Sequence, residues 1–433
     1  DLLAVDRNYK ECLPFRLTAA QENAITEIRA DLDSPLPMHR LLQGDVGSGK
    51  TVVAFYPLLA AAMRGGQGAF MAPTEVLARQ HFDLLESFLR SITITPVFLP
   101  AGLGAKAVKA RLEDPDAHII VGTHALIQER VVFRDLRVCV IDEQHKFGVR
   151  QRWNLKSKGA DPDVLVMTAT PIPRSLALTL YGELDVTTID TLPPGRRPVE
   201  TFSVPRLGDE GLTQWLDQEI RTGGRVFFVC PLVNASEKLD LEAAVRLHER
   251  IEKKYRPLCR TALLHGSMSA QAKESALDSF RSGQACLLVT TVVVEVGVDV
   301  PEASTVIILD AWRFGLAQLH QIRGRVGRGD RPSRCYLVGD PPTEAGRMRI
   351  RIIEQTTNGF KIAEEDLKMR GPGEALGLKQ HGLPALKAGD YIADVDLMTA
   401  ARDDARAFVA SSSQPPVEEL LMYSVPPDGP WIG

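Results

Sequence analysis

Short runs of apolar, often β-branched residues alternate with longer amphipathic stretches along most of the chain. In the first part, these patterns predict strands at 38–43, 68–72, 118–121, 138–141 and 164–167, and helices at 51–64 and 76–89. Strands that are apolar along their whole length and alternate with helices are typical of a parallel sheet covered on both faces. The first part of the chain is therefore predicted to form an α/β domain.

A stretch rich in Pro, Gly and Arg at 191–198 interrupts the alternation and has the composition of a linker. The alternation then resumes, with strands predicted at 225–230, 262–264, 286–289, 305–309 and 335–338. The tail from about 344 is mostly helical in pattern, and the segment from 411 has a turn-and-linker composition. We predict two α/β parallel-sheet domains at 1–195 and 196–343, and a mainly helical C-terminal extension at 344–433.

Composition narrows the classes of protein to consider. The chain has 433 residues, 44% of them hydrophobic and 24% charged, which is enough apolar material for two or three compact domains. It contains no apolar run of about 18 residues, and it lacks a signal-peptide pattern at its start. The six cysteines form no Cys-x-x-Cys pair, which favours unpaired thiols in a reducing cytoplasm and no zinc site. The net charge of −4 means that any binding of nucleic acid must be local.

The segment Gly44-Asp45-Val46-Gly47-Ser48-Gly49-Lys50-Thr51 matches the phosphate-loop pattern and lies between a predicted strand and a predicted helix. Its glycines let backbone N–H groups approach phosphates, and the helix N-terminus favours negative charge. Lys50 would reach the β- and γ-phosphates, and the Thr51 hydroxyl would ligate magnesium. The segment therefore predicts a nucleoside triphosphate site.

Two adjacent carboxylates, Asp142 and Glu143, follow the predicted strand at 138–141. Asp142 would hold magnesium through water, and Glu143 would orient or deprotonate the attacking water. An acidic pair alone is usually a solvated strand end. Its position after a buried strand, downstream of a phosphate loop, favours catalysis.

The segment Gly324-Arg325-Val326-Gly327-Arg328 offers two candidate arginine fingers, and Gln321 would hydrogen-bond nearby. A basic loop is more often a solvated face, but flanking glycines allow a close approach of the backbone. An arginine brought to the triphosphate by a second domain would stabilise the transition state of phosphoryl transfer. Binding and hydrolysis would then change the angle between the two domains, which is the design of a motor.

Polar residues after other predicted strands are candidates for coupling or for contact with nucleic acid. Thr168 and Thr170 could hydrogen-bond the acidic pair, although a simple β-turn is an equal alternative. Exposed hydroxyls and N–H groups at two further strand ends suit contacts with a nucleic-acid backbone. These residues are Pro73, Thr74, Gly122, Thr123 and His124.

Together these segments resemble the motif series of superfamily 2 helicases, and their details resemble the RecG family. The resemblance also rests on 167–174, 294–301, 359–367, 370–373 and 380–382, and it runs from Leu13 to about Asp390. One departure is Val292, which stands where relatives generally carry a polar residue. The resemblance implies two RecA-like domains in an ATP-dependent DNA helicase or translocase, which uses ATP and Mg²⁺ and acts on double-stranded and branched DNA.

The resemblance also assigns roles to residues that spacing alone does not single out. It implies nucleotide contacts from Phe15, Gln21, Gly297 and Asp299, and a coupling or DNA contact from Thr291. It places three further residues in a helical hairpin and loop that convert domain motion into movement along duplex DNA. These are Arg349, Arg370 and Gln380.

Further expectations concern partners and setting. The chain starts at Asp1 without a Met, which fits a fragment or a processed product. RecG-like proteins carry an upstream wedge domain that grips the branch point, so we expect this chain alone to recognise branched DNA poorly. In the complete protein we expect fork reversal or Holliday junction branch migration during DNA repair and recombination. We also expect a monomer in the bacterial cytoplasm, without contact with a membrane.

Two alternatives stay open at this point. A transcription-repair coupling motor shares the coupling hairpin but would need a module that binds RNA polymerase. A phosphate-loop ATPase could instead work as a switch that never moves on DNA. Hydrolysis stimulated by duplex DNA separates a motor from such a switch.

Overall fold

The computed structural model describes residues 2–92, 94–128, 131–142, 161–168, 171, 184–231, 237–291, 300, 302–329, 331–370 and 394–411. The chain forms two compact units. The first comprises Asp1–Ile172 with Glu183–Met369, and the second comprises Pro173–Gly182 with Arg370–Gly433.

The first unit contains two parallel sheets, one after the other along the chain. The strands of the first, sheet A, are β1 (His39–Gly44), β2 (Gln67–Met71), β3 (Thr95–Leu99), β4 (Ala117–Gly122), β5 (Leu136–Ile141), β6 (Asp163–Thr168) and β7 (Asp185–Ile189). Their order is β3-β4-β2-β5-β6-β1-β7, and each neighbouring pair is parallel.

Sheet B follows in the second half of this unit. Its strands are β8 (Glu200–Val204), β9 (Arg225–Val229), β10 (Arg260–Leu264), β11 (Ala285–Thr290), β12 (Ala303–Leu309) and β13 (Arg334–Val338). Their order is β10-β11-β9-β12-β13-β8, again with parallel pairs. The two-sheet α/β fold predicted from the sequence is confirmed.

Helices cover the sheets of this unit. They are α1 (Leu2–Cys12), α2 (Ala19–Leu32), α3 (Lys50–Met63), α4 (Glu75–Leu89), α5 (Ala105–Leu112), α6 (Glu210–Arg221), α7 (Glu237–Tyr255), α8 (Ala270–Arg281), α9 (Leu316–Arg323), α10 (Glu344–Gln355) and α11 (Gly359–Arg370). Short 3₁₀ turns form at His124–Ile127 and Ala311–Arg313. Each helix among the described residues is either too short or too polar to cross a membrane.

Polar residues define where several helices begin. At each of these N-caps a side-chain oxygen accepts a hydrogen bond from a backbone N–H of the first turn, which stabilises the helix start. The caps of α2, α4, α6, α8 and α10 are Thr18, Thr74, Asp209, Ser269 and Thr343.

The buried core follows the alternation of side chains along the strands. The central part of α3, including Phe55 and Tyr56, is fully buried against sheet A. In sheet B, Phe227 belongs to one apolar cluster and Phe228 to another, because successive side chains of a strand point to opposite faces. Both sheets are therefore covered on both faces, as strands that are apolar throughout require.

The strands that the hydrophobic pattern misses are β3, β7 and β8, and each lies at the edge of its sheet. Half-exposed edge strands carry polar residues, as in Asp-Val-Thr-Thr-Ile for β7, so they lack a continuous apolar run. The predicted linker at 191–198 falls between β7 and β8 and contains no helix or strand. The domain boundaries at 195 and 343 stay predictions.

In the second unit, the described residues form the helix α12 (Val395–Ser411), on which Leu397 and Phe408 are exposed. The mostly helical tail is confirmed for α10, α11 and α12. The segment predicted to be irregular begins at 411, but Ser411 still belongs to α12, and the residues from 412 onward lie outside the described part of the chain.

The expectation that all six cysteines are unpaired is wrong for one pair. Cys259 and Cys286 form a disulfide, with their Cα atoms 6.1 Å apart. Cys259 precedes β10 and Cys286 lies on β11, and these strands are neighbours. The sheet therefore brings together two residues that the sequence separates by 27 positions.

Gln67, at the start of β2, is fully buried, and its side-chain amide holds three segments together. Its Nε2 donates to the carbonyls of Leu112 and Ala117, at 3.2 and 2.8 Å. Its Oε1 accepts from the backbone N–H groups of Arg134 and Asp135, at 2.6 and 3.3 Å. One side chain thus satisfies buried backbone groups around β4 and β5 that would otherwise be costly to leave unpaired.

Replacing Gln67 by Met should therefore destabilise the fold strongly. Methionine preserves the approximate volume but cannot pair with these backbone groups, so we expect a loss of about 3 kcal/mol in the free energy of unfolding. Urea unfolding followed by circular dichroism measures this. The matched control is Gln214→Met on the exposed side of α6, expected to change stability by less than about 0.5 kcal/mol. Equal effects of the two substitutions would contradict the role of Gln67.

Candidate functional site

The candidate residues of the first half lie at one edge of sheet A. The phosphate loop follows β1, Thr74 follows β2, Thr123 follows β4, Asp142 follows β5 and Thr168 ends β6. Because these strands are parallel neighbours, their carboxyl ends meet at the same edge, which is where open α/β sheets bind ligands.

The phosphate loop has the backbone that its glycines permit. Gly47 and Gly49 have φ angles of +76° and +85°, which other residues rarely adopt, and α3 begins directly after the loop. The Lys50 Nζ donates to the carbonyls of Gly44 and Asp45, at 2.7 and 2.8 Å. The ammonium therefore lies inside the loop that phosphates would enter.

Ser48 and Thr51 add hydroxyl groups to this loop. Ser48 is fully buried, and among the described residues its hydroxyl has no hydrogen-bond partner. A buried hydroxyl without a partner is costly unless a ligand supplies one, which fits a phosphate oxygen. Thr51 lies in the first turn of α3. The loop thus fits a nucleoside triphosphate.

Gln21 supports the loop from α2. Its Nε2 donates to the carbonyl of Ser48 at 2.9 Å, while its Oε1 accepts the N–H of Thr18 at 2.9 Å. Phe15 lies just before this helix, with 46% of its surface exposed and its ring edge-on to Phe88. An exposed aromatic face of this kind can stack on a base. The adenine contacts of Phe15 and Gln21 stay predictions.

Asp142 is held in place from two sides. Its backbone N–H donates to the carbonyl of Met71, and its Oδ2 lies 3.1 Å from the Nε2 of His81 on α4. The ring of His81 in turn packs on Phe70, with centroids 4.6 Å apart. His81 therefore orients a carboxylate that is a candidate magnesium ligand.

The protein oxygens near the phosphate loop suit a magnesium ion that is bound mainly through phosphates. In the part of the chain that the structure describes, no cluster of three or more His, Cys, Asp or Glu side chains forms a separate metal site. Magnesium commonly takes one or two protein oxygens together with substrate phosphates and water. Thr51 and Asp142 are oxygen donors of this kind.

The second half of the unit reaches the phosphate loop through α9. A Cβ on Gly324, directly after this helix, would lie only 2.6 Å from the Cγ1 of Val46. Only glycine allows this approach. Arg325 and Arg328 follow at once in a turn where Gly327 has a φ of +77°, and both are partly buried. The turn that carries the candidate arginines therefore begins where Gly324 contacts the phosphate loop.

Gln321 and Arg328 have different surroundings in this region. Gln321 is buried within α9. Arg328 donates from Nε to the carbonyl of Gly324 at 3.3 Å, which holds its side chain back over the turn. The catalytic roles of Gln321, Arg325 and Arg328 stay predictions.

Asp45 joins the phosphate loop to α9 and to α11. Its Oδ1 lies 2.5 Å from the Nε2 of His320, and its Oδ2 accepts the N–H of Gly359 at 2.9 Å. Burial opposes ionisation of Asp45. The hydrogen bonds from His320, Gly359 and Val46 outweigh this and hold the pKa of the carboxyl below its usual value. Asp45 is therefore ionised at neutral pH.

Arg196, from the linker, covers the loop from another side. Its Nη1 donates to the carbonyl of Val46 at 2.5 Å. A Cβ on Gly47 would lie 1.4 Å from the same nitrogen, so the guanidinium lies directly on that glycine. The linker therefore connects the two sheets and also contacts the phosphate loop.

The residues proposed for nucleic-acid contact differ in exposure. Pro73 is partly exposed, Thr74 caps α4, and His124 is exposed. The expectation of an exposed hydroxyl is wrong for Thr123, which is only 3% exposed, and Thr168, expected to hydrogen-bond the acidic pair, is buried to the same extent. Thr123 has a structural reason, because its hydroxyl caps the 3₁₀ turn that begins at His124.

Several other predicted residues have structural surroundings of their own. A Cβ on Gly122 would meet the carbonyl oxygen of Leu99 at 3.0 Å, so this glycine serves packing. Thr291 is buried after β11. Arg349, on α10, donates to the carbonyls of Trp312 and Phe314 at 2.8 and 3.4 Å, which ties α10 to the chain before α9.

The remaining predicted site residues lie wholly or partly outside the described part of the chain. Arg370 ends α11, but its side chain is not among those described. The positions outside the described residues are Glu143, Thr170, Val292, Gly297, Asp299 and Gln380.

Sequence reasoning missed four residues of this region. Asp45 lies inside the phosphate-loop segment and His320 lies next to Gln321, but the pattern assigns neither a role, and their contact spans 275 positions. Arg196 was interpreted only as part of a linker. His81 shows no signal beyond its place on an amphipathic helix.

Three helicase family models match successive parts of the chain. Residues 18–179 match the DEAD/DEAH box helicase family, and residues 210–330 match the helicase conserved C-terminal domain. Residues 356–423 match the family described as ATP-dependent DNA helicase RecG, domain 3, C-terminal.

Curated relatives agree with these matches. The chain is 46% identical over 404 residues to the ATP-dependent DNA helicase RecG of Bacillus subtilis (strain 168), covering 93% of this chain and 59% of that protein. It is also 46% identical over 416 residues to the protein of the same name from Thermotoga maritima. This match covers 95% of this chain and 53% of that protein. The chain thus spans between half and three fifths of the length of these relatives.

Solved structures show the same likeness. The structure of RecG bound to a three-way DNA junction matches with a TM-score of 0.74 and 43% identity, over 91% of this chain and 52% of that chain. The structure of the Mycobacterium smegmatis helicase Lhr, bound to ssDNA and AMP-PNP, matches with a TM-score of 0.56. This match covers 79% of this chain and 50% of that chain. At 20% identity it shares the fold alone. From the family matches, the curated relatives and the junction-bound structure, we conclude that the chain belongs to the RecG family.

Proposed function

We propose that this chain is the motor of an ATP-dependent DNA helicase that moves on double-stranded DNA and acts on branched DNA. The observation that carries the proposal is the close approach of Gly324 to Val46, which brings a turn with two arginines to the phosphate loop. A site assembled from two sheets can change its geometry when the triphosphate is hydrolysed. Such a change is what a motor requires.

The bound triphosphate of ATP would replace the loop carbonyls as the partner of Lys50. Ser48 and the backbone N–H groups after Gly47 would complete the cradle. Thr51 and Asp142 would hold Mg²⁺. The bound ion would neutralise the charge that develops on the phosphates. Glu143 would orient the attacking water, with His81 keeping Asp142 in place.

The arginines would act on the other side of the triphosphate. Arg325 and Arg328 would stabilise the charge on the transferring phosphoryl group, assisted by Gln321. Loss of the γ-phosphate would remove their shared partner and loosen the contact between α9 and the loop. The two sheets would then change their relative angle.

Movement on DNA would use the strand-end residues and the C-terminal extension. Thr74 and His124 are candidates for contact with the DNA backbone, and Thr291, Arg349, Arg370 and Gln380 are candidates for coupling. The resemblance to relatives named DNA helicases, and to a structure with a three-way junction, supports branched DNA as substrate. Fork reversal and Holliday junction branch migration in DNA repair and recombination are the activities we propose for the complete protein.

We also propose a monomeric enzyme of the bacterial cytoplasm that works with any further domains of the same polypeptide. The bacterial origin of the relatives supports the bacterial part of this proposal. No contact among the described residues favours the transcription-coupling motor or the nucleotide switch over this proposal.

Steady-state ATP hydrolysis tests the proposal directly, measured without DNA and with linear duplex, single strand and a model fork. We expect duplex and fork to accelerate hydrolysis. Lys50→Ala should lower it about a hundredfold, because two charge-assisted hydrogen bonds to the phosphates, about 3 kcal/mol together, are lost. Lys106→Ala, an exposed lysine on α5, is the matched control. Hydrolysis indifferent to every DNA would point to the nucleotide switch.

Arg325→Ala tests the contribution of the second sheet to the same site. The turnover number should fall about a thousandfold, whereas binding of a fluorescent ATP analogue should change little, since the arginine acts mainly in the transition state. Arg256→Ala, an exposed arginine just after α7, should leave both quantities unchanged. A turnover number that Arg325→Ala does not alter would remove Arg325 from the catalytic set.

Arg370→Ala tests whether coupling is separable from hydrolysis. We expect duplex-stimulated hydrolysis within about twofold of the unsubstituted chain, but at least about tenfold slower displacement of a third strand bound to the duplex. The control is Arg250→Ala, on the exposed face of α7. Parallel losses of hydrolysis and displacement would show that Arg370 supports the ATPase itself.

A further inference from the structure

Asp45 meets the nucleotide site and the C-terminal extension with different atoms. Its backbone carbonyl accepts a hydrogen bond from Lys50, the residue expected to bind the phosphates. Its carboxylate accepts from Val46 within the loop, from His320 on α9 and from Gly359 at the start of α11. One residue thus contacts both the phosphate-binding lysine and the first turn of α11.

The hydrogen-bonding roles of the two ring nitrogens of His320 follow from its two partners. Its Nδ1 lies 3.0 Å from the Nη2 of Arg323, and a guanidinium can only donate. Nδ1 must therefore accept, which leaves the proton of a neutral ring on Nε2. From there it is donated to Asp45. The geometry fixes one tautomer and one direction for the hydrogen bond.

Gly359 approaches this pair more closely than any other residue type could. A Cβ at this position would lie 2.6 Å from the Nε2 of His320 and 2.8 Å from the Oδ1 of Asp45. The Cγ of Pro171 would lie at 2.8 Å on another side. The close approach lets the Gly359 N–H reach the carboxylate.

The turn between α10 and α11 is held at both ends by this group of residues. Before the turn, the carbonyl of Ile353 accepts from the Nη1 of Arg323 at 2.6 Å. After the turn, the N–H of Gly359 donates to Asp45. Arg323 is almost fully buried, so its end of the turn is a rigid attachment to α9. The Asp45 end is attached to the loop that binds nucleotide.

We propose that Asp45 transmits the nucleotide state of the phosphate loop to α11, with His320 and Gly359 as positioning residues. This inference rests on the proposed function, since it concerns how that ATP site acts on the C-terminal extension. When Lys50 turns to the phosphates, the Asp45 carbonyl keeps only the N–H of Ser48 as a donor, and this loss of the ammonium loosens the loop. The carboxylate then releases the N–H of Gly359, and α11 is free to move.

Amide hydrogen exchange of the full chain, with and without Mg²⁺ and AMP-PNP, tests this without any DNA. We expect the nucleotide to accelerate exchange at Gly359 about tenfold, the effect of losing one charge-assisted hydrogen bond. Exchange at Gly359 that the nucleotide leaves unchanged, or slows, would overturn the proposal. Duplex-stimulated hydrolysis, measured separately, decides the proposed function, so the two failures are distinguishable.

Two substitutions of His320 separate its two hydrogen bonds. In His320→Gln the amide nitrogen can reach the place of Nε2 and donate to Asp45, whereas in His320→Asn the shorter amide reaches only the Nδ1 position beside Arg323. We expect the Gln variant to keep the nucleotide-dependent change at Gly359 and the Asn variant to reduce it below about twofold. The opposite order would show that the Arg323 contact matters instead, and would overturn the role of Asp45.

Gly359→Ala breaks the same contact without altering a polar group. Its methyl group should separate Gly359 from Asp45, so exchange becomes fast with or without nucleotide. Third-strand displacement per ATP hydrolysed should fall about tenfold while hydrolysis without DNA persists. Gly208→Ala is the matched control, because a Cβ there meets nothing within 4 Å. Displacement per ATP that Gly359→Ala leaves at the level of this control would overturn the proposal.

Discussion

In both sheets of the described chain the strands run parallel, so each strand delivers its carboxyl end to one edge. The phosphate loop, Asp142 and Thr168 lie close together for this reason alone, although almost 100 residues separate the first two in the sequence. A reversal of any one of these strands would carry its terminal residue to the opposite edge. The chemistry of the site is therefore a consequence of strand direction, which long crossover helices such as α3 enforce.

Contact between the two halves of the site depends on the absence of side chains at two positions. Gly324 meets Val46 and Gly359 meets Asp45, and both contacts fall on neighbouring residues of one loop. The phosphate loop is thereby contacted directly by the C-terminal end of α9 and by the start of α11. Arg196 adds a third contact to the same loop. A change in the shape of the loop would therefore alter its contacts with the linker, with Gly324 and with Gly359.

The parts of the fold that the sequence predicted are those set by local patterns. Central strands are buried on both faces and read as apolar runs, whereas the edge strands β3, β7 and β8 do not. The phosphate loop was recognisable because its function needs fixed residue types at fixed spacing. Contacts such as that of Asp45 with His320, or of Cys259 with Cys286, depend on how distant segments pack, and no local pattern encodes them.

The placement of Gly359 at the very start of α11 makes that helix a lever. With 12 residues it is about 18 Å long. A rotation of about 10° about its first residue moves its far end by about 3 Å. That displacement is close to the axial rise of about 3.4 Å between successive base pairs of duplex DNA. Under the proposed coupling, release of Gly359 from Asp45 would therefore be magnified at the far end of α11.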